Sequence, residues 1–125
     1  MEKEVLEKYK KAGRIDRECL EFGSKLIKPG VKIIDVVEQL EEKVRKSGVG
    51  FSFPINVSIN EYAAHDTADI GDERVFKEGD LIKLDMGTLV DGYIADSAVT
   101  VSLNSGKEEL IKTAKKALEN GLKLM

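Results

Sequence analysis

The sequence has few of the residues that mark disulfide-stapled or membrane-inserted proteins. It contains no tryptophan, two prolines and a single cysteine, Cys19, which cannot form an internal disulfide. Because Cys19 falls among apolar residues at helical spacing, we expect it to be a small core residue in a reducing compartment. No run of about eighteen apolar residues exists, and the N-terminus is rich in lysine and glutamate, which argues against a membrane span and a signal peptide. We therefore expect a cytoplasmic protein.

The charges of the chain are nearly balanced. Its 125 residues include 20 basic and 23 acidic side chains, for a net charge of -3, so bulk charge gives no reason to expect binding to nucleic acid. Hydrophobic residues make up 42% of the chain, an ordinary fraction for a globular protein. The length suits one domain with one core, and we treat residues 1–125 as a single domain.

Three segments have apolar residues at helical spacing. The first covers residues 2–27 and is ended by Lys28-Pro29-Gly30, because proline cannot continue a helix. The second begins at Asp35 or just before it and closes at Ser47-Gly48. The third covers residues 107–125 and has no cap or glycine stop, so we expect the chain to end inside a helix. The apolar positions predicted for the second helix are Ile34, Val37, Leu40 and Val44.

Between the second and third helices the period of the pattern changes to two. From Phe51 onward apolar and polar residues alternate, which predicts a half-buried strand. Residues 66–74 are polar and acidic around Gly71, and they predict a solvated surface loop. Lys77-Glu78-Gly79-Asp80 predicts a turn that leads into the next strand. The apolar set of the first strand is Phe53, Ile55, Val57 and Ile59.

The clearest local signal is a hairpin centred on Asp91-Gly92. This dipeptide favours a type I′ turn, which requires positive φ at both central residues. With this turn, Asp85 pairs with Ala98 and Gly87 with Asp96, so the two carboxylates are diagonal neighbours on one face of the sheet. The other face is predicted to join the core through Ile82, Leu84, Met86, Val90, Tyr93, Ala95, Val99 and Val101.

The Asp85 and Asp96 carboxylates form the first candidate site. Two neighbouring carboxylates repel each other, so either a cation lies between them or both face water. Carboxylate oxygens suit Mn, Mg or Ca, and mixed sites of carboxylate and imidazole also take Zn, Fe or Co. The spacing therefore predicts one part of a metal site, while a solvated pair remains the alternative.

His65 is the only histidine and follows the predicted first strand. An imidazole titrates near neutral pH and can act as an acid, a base or a ligand, but an ordinary hydrogen-bonded histidine is the alternative. An acidic pair on a nearby sheet favours a role for His65 in orienting a substrate.

These segments together resemble the methionine aminopeptidases of the type II, archaeal sort. The resemblance covers nearly the whole chain, with its motifs in the family's order and spacing. It implies an α+β fold that is half of a pita-bread (creatinase/aminopeptidase) fold, with two N-terminal helices, an antiparallel sheet and a C-terminal helix. The matching runs are Phe53 to His65, Lys77 to Asp80, Lys83 to Gly87, and Gly92 to Thr100.

The resemblance also implies roles for particular residues. Asp85 resembles the bidentate ligand of the first metal, and Asp96 resembles the aspartate that bridges two divalent ions (Co, Mn, Fe, Zn or Ni). His65 resembles the catalytic-site histidine that contacts the bound substrate. The implied reaction removes the N-terminal methionine of nascent peptides with a metal-activated hydroxide. Because the substrate is nascent, the resemblance also allows an association with the ribosome. Residues that resemble the wall of the methionine pocket are Phe53, Pro54, Asn56 and Ile59.

The chain departs from the family pattern in its length and its ligands. The resemblance implies five metal ligands, and this chain holds two of them, because the further histidine and two glutamates belong to a second half. We therefore expect an N-terminal half-domain that is inactive alone and binds metal weakly or not at all. The alternatives are a hydrolase like aminopeptidase P or prolidase, a non-catalytic interaction module of the same fold, and a half-domain that associates with a copy of itself.

Overall fold

The fold is α+β, with three helices and one antiparallel sheet. A computed structural model describes all residues 1–125. The helices are α1 (Lys3–Leu26), α2 (Ile33–Lys46) and α3 (Glu108–Leu122), and the strands are β1 (Gly50–Ile59), β2 (Leu81–Val90) and β3 (Tyr93–Ser102). The sheet has the order β1-β2-β3, and both strand pairs are antiparallel. The predicted sequence of two helices, an antiparallel sheet and a final helix is confirmed.

The core lies between the sheet and the first two helices. Buried residues of α1, α2, β1 and β2 form one hydrophobic cluster, and Cys19 is fully buried in it, as predicted. Complete burial of a large aliphatic side chain contributes about 1.5–3 kcal/mol to stability. The hydroxyl of buried Thr88 also donates a hydrogen bond of 2.9 Å to the carbonyl of Ala12, which fixes α1 on the sheet. The fully buried core residues of β2 are Ile82, Leu84 and Met86.

Helix α2 begins where its apolar pattern predicts, and a distant segment fixes its first turn. The pattern places the start at Asp35 or just before it, and the helix starts at Ile33. Before the helix, the chain pairs with a distant segment, and the N–H of Ile33 donates to the carbonyl of Arg74 at 3.0 Å. This long-range bond aligns the first turn so that Ile33 and Val36 are 0% exposed. A periodicity argument alone contains no information about such a bond.

The alternation predicted for β1 is interrupted by two irregularities. The pairing of β1 with β2 shifts between Phe51 and Phe53 and again between Phe53 and Asn56. A bulge inserts an extra residue into one strand and changes which side chains share a face. Phe53 consequently pairs with Gly87, and Asn56 with Asp85. Both β1 residues therefore lie on the face that carries the aspartates, whereas strict alternation puts them on opposite faces.

Helix α3 lies apart from the core. It has no buried residue, although its apolar residues are spaced for one helix face. Leu110, Leu118 and Leu122 are 61%, 64% and 60% exposed. No helix in the structure combines the length and apolarity that crossing a membrane requires.

Candidate metal and substrate site

The β2–β3 hairpin has the predicted register. Asp91 and Gly92 form the turn with φ values of 49° and 87°, which are the positive values that a type I′ turn requires. Asp85 pairs with Ala98 and Gly87 with Asp96. The two carboxylate residues are therefore diagonal neighbours on one face of the sheet. This part of the site is determined by local turn chemistry.

The electrostatics of the pair favour a bound cation. Burial raises the pKa of Asp85 above its usual value, and the charge of Asp96 raises it further. The side-chain amide of Asn56, on the residue directly opposite, and the charge of His65 lower the pKa of Asp85. A cation between the two carboxylates would offset their repulsion and lower the pKa of Asp85. Asp85 is partly buried and Asp96 is exposed, so an ion can approach from solvent.

Gly87 makes room for an aromatic wall beside the aspartates. A Cβ atom at this position would lie 2.7 Å from Cε1 of Phe53 and 2.9 Å from the carbonyl oxygen of Ala95. Both distances are shorter than real Cβ contacts, so only glycine fits between the ring and the neighbouring strand. The Phe53 ring therefore packs directly over the backbone of the strand that carries Asp85.

The other residues implied for the site do not all lie beside the aspartates. His65 is exposed in the loop after β1, has a φ of 65°, and is close enough for its charge to act on Asp85. Pro54 is exposed at the irregular part of β1. Ile59 lies opposite a buried core residue and packs against the hydrophobic cluster, so the structure does not bring it to the aspartates.

The donor set fits one side of a divalent cation and no more. No group of three or more His, Cys, Asp or Glu residues could enclose a metal ion. Two carboxylates are suitable oxygen donors, but they leave most coordination positions of such an ion to water or to other ligands. A surface groove beside Phe22 and Lys43 lies on the helices, away from the aspartates.

A buried carboxylate behind the site was not predicted from the sequence. Asp16 of α1 is 1% exposed, and its Oδ2 accepts a hydrogen bond from the hydroxyl of Ser97, next to Asp96 in β3. Its Oδ1 is buried without a hydrogen-bond partner. The signal for this residue was its position one helical turn from both Ala12 and Leu20, on the apolar face of α1.

The acidic segment after His65 is a surface loop, as predicted, and one arginine organises it. Arg74 bonds the Asp72 carboxylate at 2.8 Å and the Asp66 carboxylate at 3.0 Å. It also donates to the carbonyl of Thr67 at 2.9 Å. Asp66 and Asp72 are only partly exposed as a result. Residues 66–74 thus fold around one guanidinium instead of extending freely into water.

Comparison with known proteins shows which family the chain resembles in both sequence and structure. The family model of metallopeptidase family M24 matches residues 7–125. The methionine aminopeptidase of Archaeoglobus fulgidus is 47% identical over 100% of this chain and 43% of its own length. The structure of methionine aminopeptidase from Thermotoga maritima superposes with a TM-score of 0.89 at 30% identity, covering 100% of this chain and 54% of that one.

The relationship extends to other peptidases but over less of the chain. The X-Pro aminopeptidase of Thermotoga maritima has a TM-score of 0.69 at 25% identity, covering 82% of this chain and 29% of that one. The chain spans less than half the length of the curated relative from Archaeoglobus fulgidus. With a family model that matches nearly all of its residues, the chain belongs to metallopeptidase family M24.

Proposed function

We propose that this chain is the N-terminal half of a methionine aminopeptidase with a pita-bread fold. The complete protein would remove the N-terminal methionine from nascent polypeptides in the cytoplasm. The observation that carries the proposal is the diagonal pair of Asp85 and Asp96, in a chain whose similar relatives are named methionine aminopeptidases. Bound divalent ions would supply Lewis-acid activation of water and stabilise the negative charge that develops on the substrate carbonyl.

The residues of this chain have separate tasks in the proposed site. Asp85 and Asp96 would hold the divalent ions from the sheet through their carboxylate oxygens. His65 orients the substrate from the loop after β1. Phe53 supplies an apolar wall for the methionine side chain, which excludes water from that side. The side-chain hydrogen bond of Asn56 lowers the pKa of Asp85 and so favours its charged form. Pro54, which is exposed at the irregular part of β1, would contribute to the edge of the pocket wall, whereas Ile59 belongs to the core.

Two alternatives from the sequence are less well supported. An enzyme like aminopeptidase P or prolidase would share the aspartates, but the structural match to the X-Pro enzyme covers less of the chain than the match to the methionine enzyme. A non-catalytic module has no need for two carboxylates that lie side by side on one face of the sheet and repel each other. Both observations favour the methionine enzyme.

Calorimetric titration of the chain with Mn²⁺ tests the metal half of the proposal. We expect weak binding, with a dissociation constant on the order of 0.1–1 mM, because two carboxylates leave most positions to water. Asp85→Asn and Asp96→Asn should each abolish it. Asp91→Asn is the matched control, since this exposed aspartate lies in the turn of the same hairpin and should leave binding unchanged. Binding that survives both site variants would refute the assignment.

Peptide turnover tests whether the second half is needed. The chain incubated with Mn²⁺ and a methionyl-alanyl peptide should release no methionine, because it supplies only two ligands. Clear turnover that disappears in Asp85→Asn would show instead that this chain carries a complete site.

The same chain should associate with itself at high concentration. The leucines of α3 expose more than half of their side-chain area, and burial against a second copy would remove apolar surface from water. Light scattering should show a dimer or a larger species. A monomer at all concentrations would contradict this expectation.

A further inference from the structure

The loop that carries His65 is held on the sheet at both ends, by β2 at its start and by β1 at its end. At its start, the N–H of Asn60 donates to the carbonyl of Leu81 at 2.9 Å. At its end, the carbonyl of Asp66 accepts a bond of 2.8 Å from the N–H of Val57. Residues 61–65 between these points, here named the His65 loop, are all exposed. Their geometry therefore depends on how firmly the two ends are held.

Asn60 and Asp80 together clamp the first end. The amide Nδ2 of Asn60 donates to Oδ1 of Asp80 at 3.0 Å, while Oδ1 of Asn60 accepts from the N–H of Leu81 at 2.9 Å. The second oxygen of Asp80 accepts from the N–H of Lys77 at 2.8 Å, which closes the turn before β2. Asp80 is 8% exposed, so this network is largely shielded from water. Hydrogen bonds to a buried carboxylate are stronger than those between neutral groups.

The backbone at Asn60 shows why this clamp sets the direction of the loop. Asn60 has a φ of 54°, in the left-handed region where asparagine and aspartate are enriched. This conformation ends β1 and turns the chain away from the sheet. His65 has a second left-handed φ, of 65°, just before the chain returns to β1. A change in the backbone conformation of Asn60 would therefore displace the exposed loop and, with it, the imidazole of His65.

We propose that Asn60 and Asp80 are a pair of positioning residues that hold the His65 loop over the aspartate face. The side-chain hydrogen bonds of both residues go to each other and to the N–H groups of Leu81 and Lys77, and none goes to the aspartates. The pair acts through the conformation of Asn60, whose side chain is held between the Asp80 carboxylate and the backbone of β2. This inference rests on the proposed function where it gives His65 the task of orienting a substrate, but the clamp itself exists without metal or substrate.

The pair offers an exchange variant as a sharp test. Asn60→Asp alone places two carboxylates against each other. Asp80→Asn alone leaves one side-chain oxygen at position 80, so the Asn60 amide and the Lys77 N–H compete for it. The double variant Asn60→Asp/Asp80→Asn restores every bond, because the amide at position 80 donates to the carboxylate at position 60. Both residue types tolerate a left-handed φ, so the backbone requirement is met in each variant.

The measurement is the ¹⁵N order parameter of residues 61–65 in the metal-free chain. We expect rigid values of about 0.85 in the wild type and in the exchange variant, and values below about 0.6 in each single variant. Asp91→Asn, in the hairpin turn, serves as a control that should leave the loop rigid. Unchanged order parameters in the single variants would overturn the proposal, and so would an exchange variant that stays mobile. Global unfolding of the single variants would show that the pair stabilises the whole fold and does not act on the loop alone, and this result would also overturn the proposal.

A second readout separates this inference from the proposed function. His65 is the only histidine, so its imidazole protons give unique NMR signals. Mn²⁺ bound at the aspartates should broaden these signals in the wild type and the exchange variant, and broaden them less in the single variants. If Mn²⁺ broadens nothing in any variant, the metal assignment fails, while the metal-free order parameters still decide the role of the pair.

Discussion

The buried carboxylate of Asp16 should make the stability of this protein fall as the pH rises from acid to neutral. Burial raises the pKa of Asp16 from 3.8 to about 6. The hydrogen bond from Ser97 acts in the opposite direction, and the charges of Asp96 and Asp85 add to the rise. The folded chain therefore binds a proton at Asp16 more strongly than the unfolded chain does.

The sign and size of the effect follow from this difference. Because the folded state holds the extra proton, the stabilisation is fully present below pH 3.8 and is lost as the pH rises through about 6. A shift of about two pKa units corresponds to about 3 kcal/mol at 1.36 kcal/mol per unit. At pH 7 the charged carboxylate should therefore cost the fold about 3 kcal/mol relative to its protonated form, which is a large part of the stability of a small domain.

Urea unfolding of the wild type and Asp16→Asn between pH 4 and pH 7.5, in the presence of a chelator, measures this cost. The amide is neutral throughout, so the free energy of unfolding of the variant should rise by about 2.5 kcal/mol relative to the wild type across that range, since the rest of the effect lies below pH 4. Asp69→Asn, at an exposed loop position, is the control and should show no such divergence. Parallel curves for Asp16→Asn and the wild type would show that Asp16 ionises normally, and would refute the reasoning.

Further predictions concern the glycines. Gly13→Ala and Gly23→Ala are the same change in α1, but a Cβ at Gly13 meets nothing within 4 Å, whereas a Cβ at Gly23 lies 2.8 Å from Cδ2 of Leu84 in the core. In urea unfolding, the free energy of unfolding of Gly13→Ala should rise by about 0.5–1 kcal/mol, because alanine has the higher helix propensity. That of Gly23→Ala should fall by about 1–3 kcal/mol, because the added methyl group overpacks the core. Equal effects would contradict the packing described for α1. Gly87→Ala should cost about 1–3 kcal/mol, since the clash includes a backbone carbonyl that cannot rotate away, and should weaken Mn²⁺ binding in calorimetry; a variant as stable as the wild type would show that the Phe53 ring does not pack on this strand.

The hairpin that carries the aspartates could be predicted because its information is local. The dipeptide Asp91-Gly92 selects a turn type, and the turn type fixes the register of the residues on either side. The diagonal relation of Asp85 and Asp96 follows from that register without any knowledge of the rest of the protein. The helices could be located for a similar reason, because their apolar faces repeat within a few residues.

Other parts of the site could not be predicted because they depend on residues far apart in the sequence. The irregular pairing of β1 brings Phe53 and Asn56 to the same face, which simple alternation excludes. The network of Asn60 with Asp80 closes only when the sheet has formed, and Arg74 organises an acidic loop that composition predicts to be solvated. In each case the partner was chosen by tertiary packing.

The sequence by itself determined the order of elements, the hairpin register and the family to which the chain belongs. Each of these depends on short patterns of residues that act on the backbone within a few positions. Only the tertiary structure decided the surroundings of those residues. It buried Asp16 behind β3, aligned the Phe53 ring over Gly87, and fixed the loop that presents His65. The physical reason is that burial, bulges and long-range hydrogen bonds exist only once distant segments have packed together.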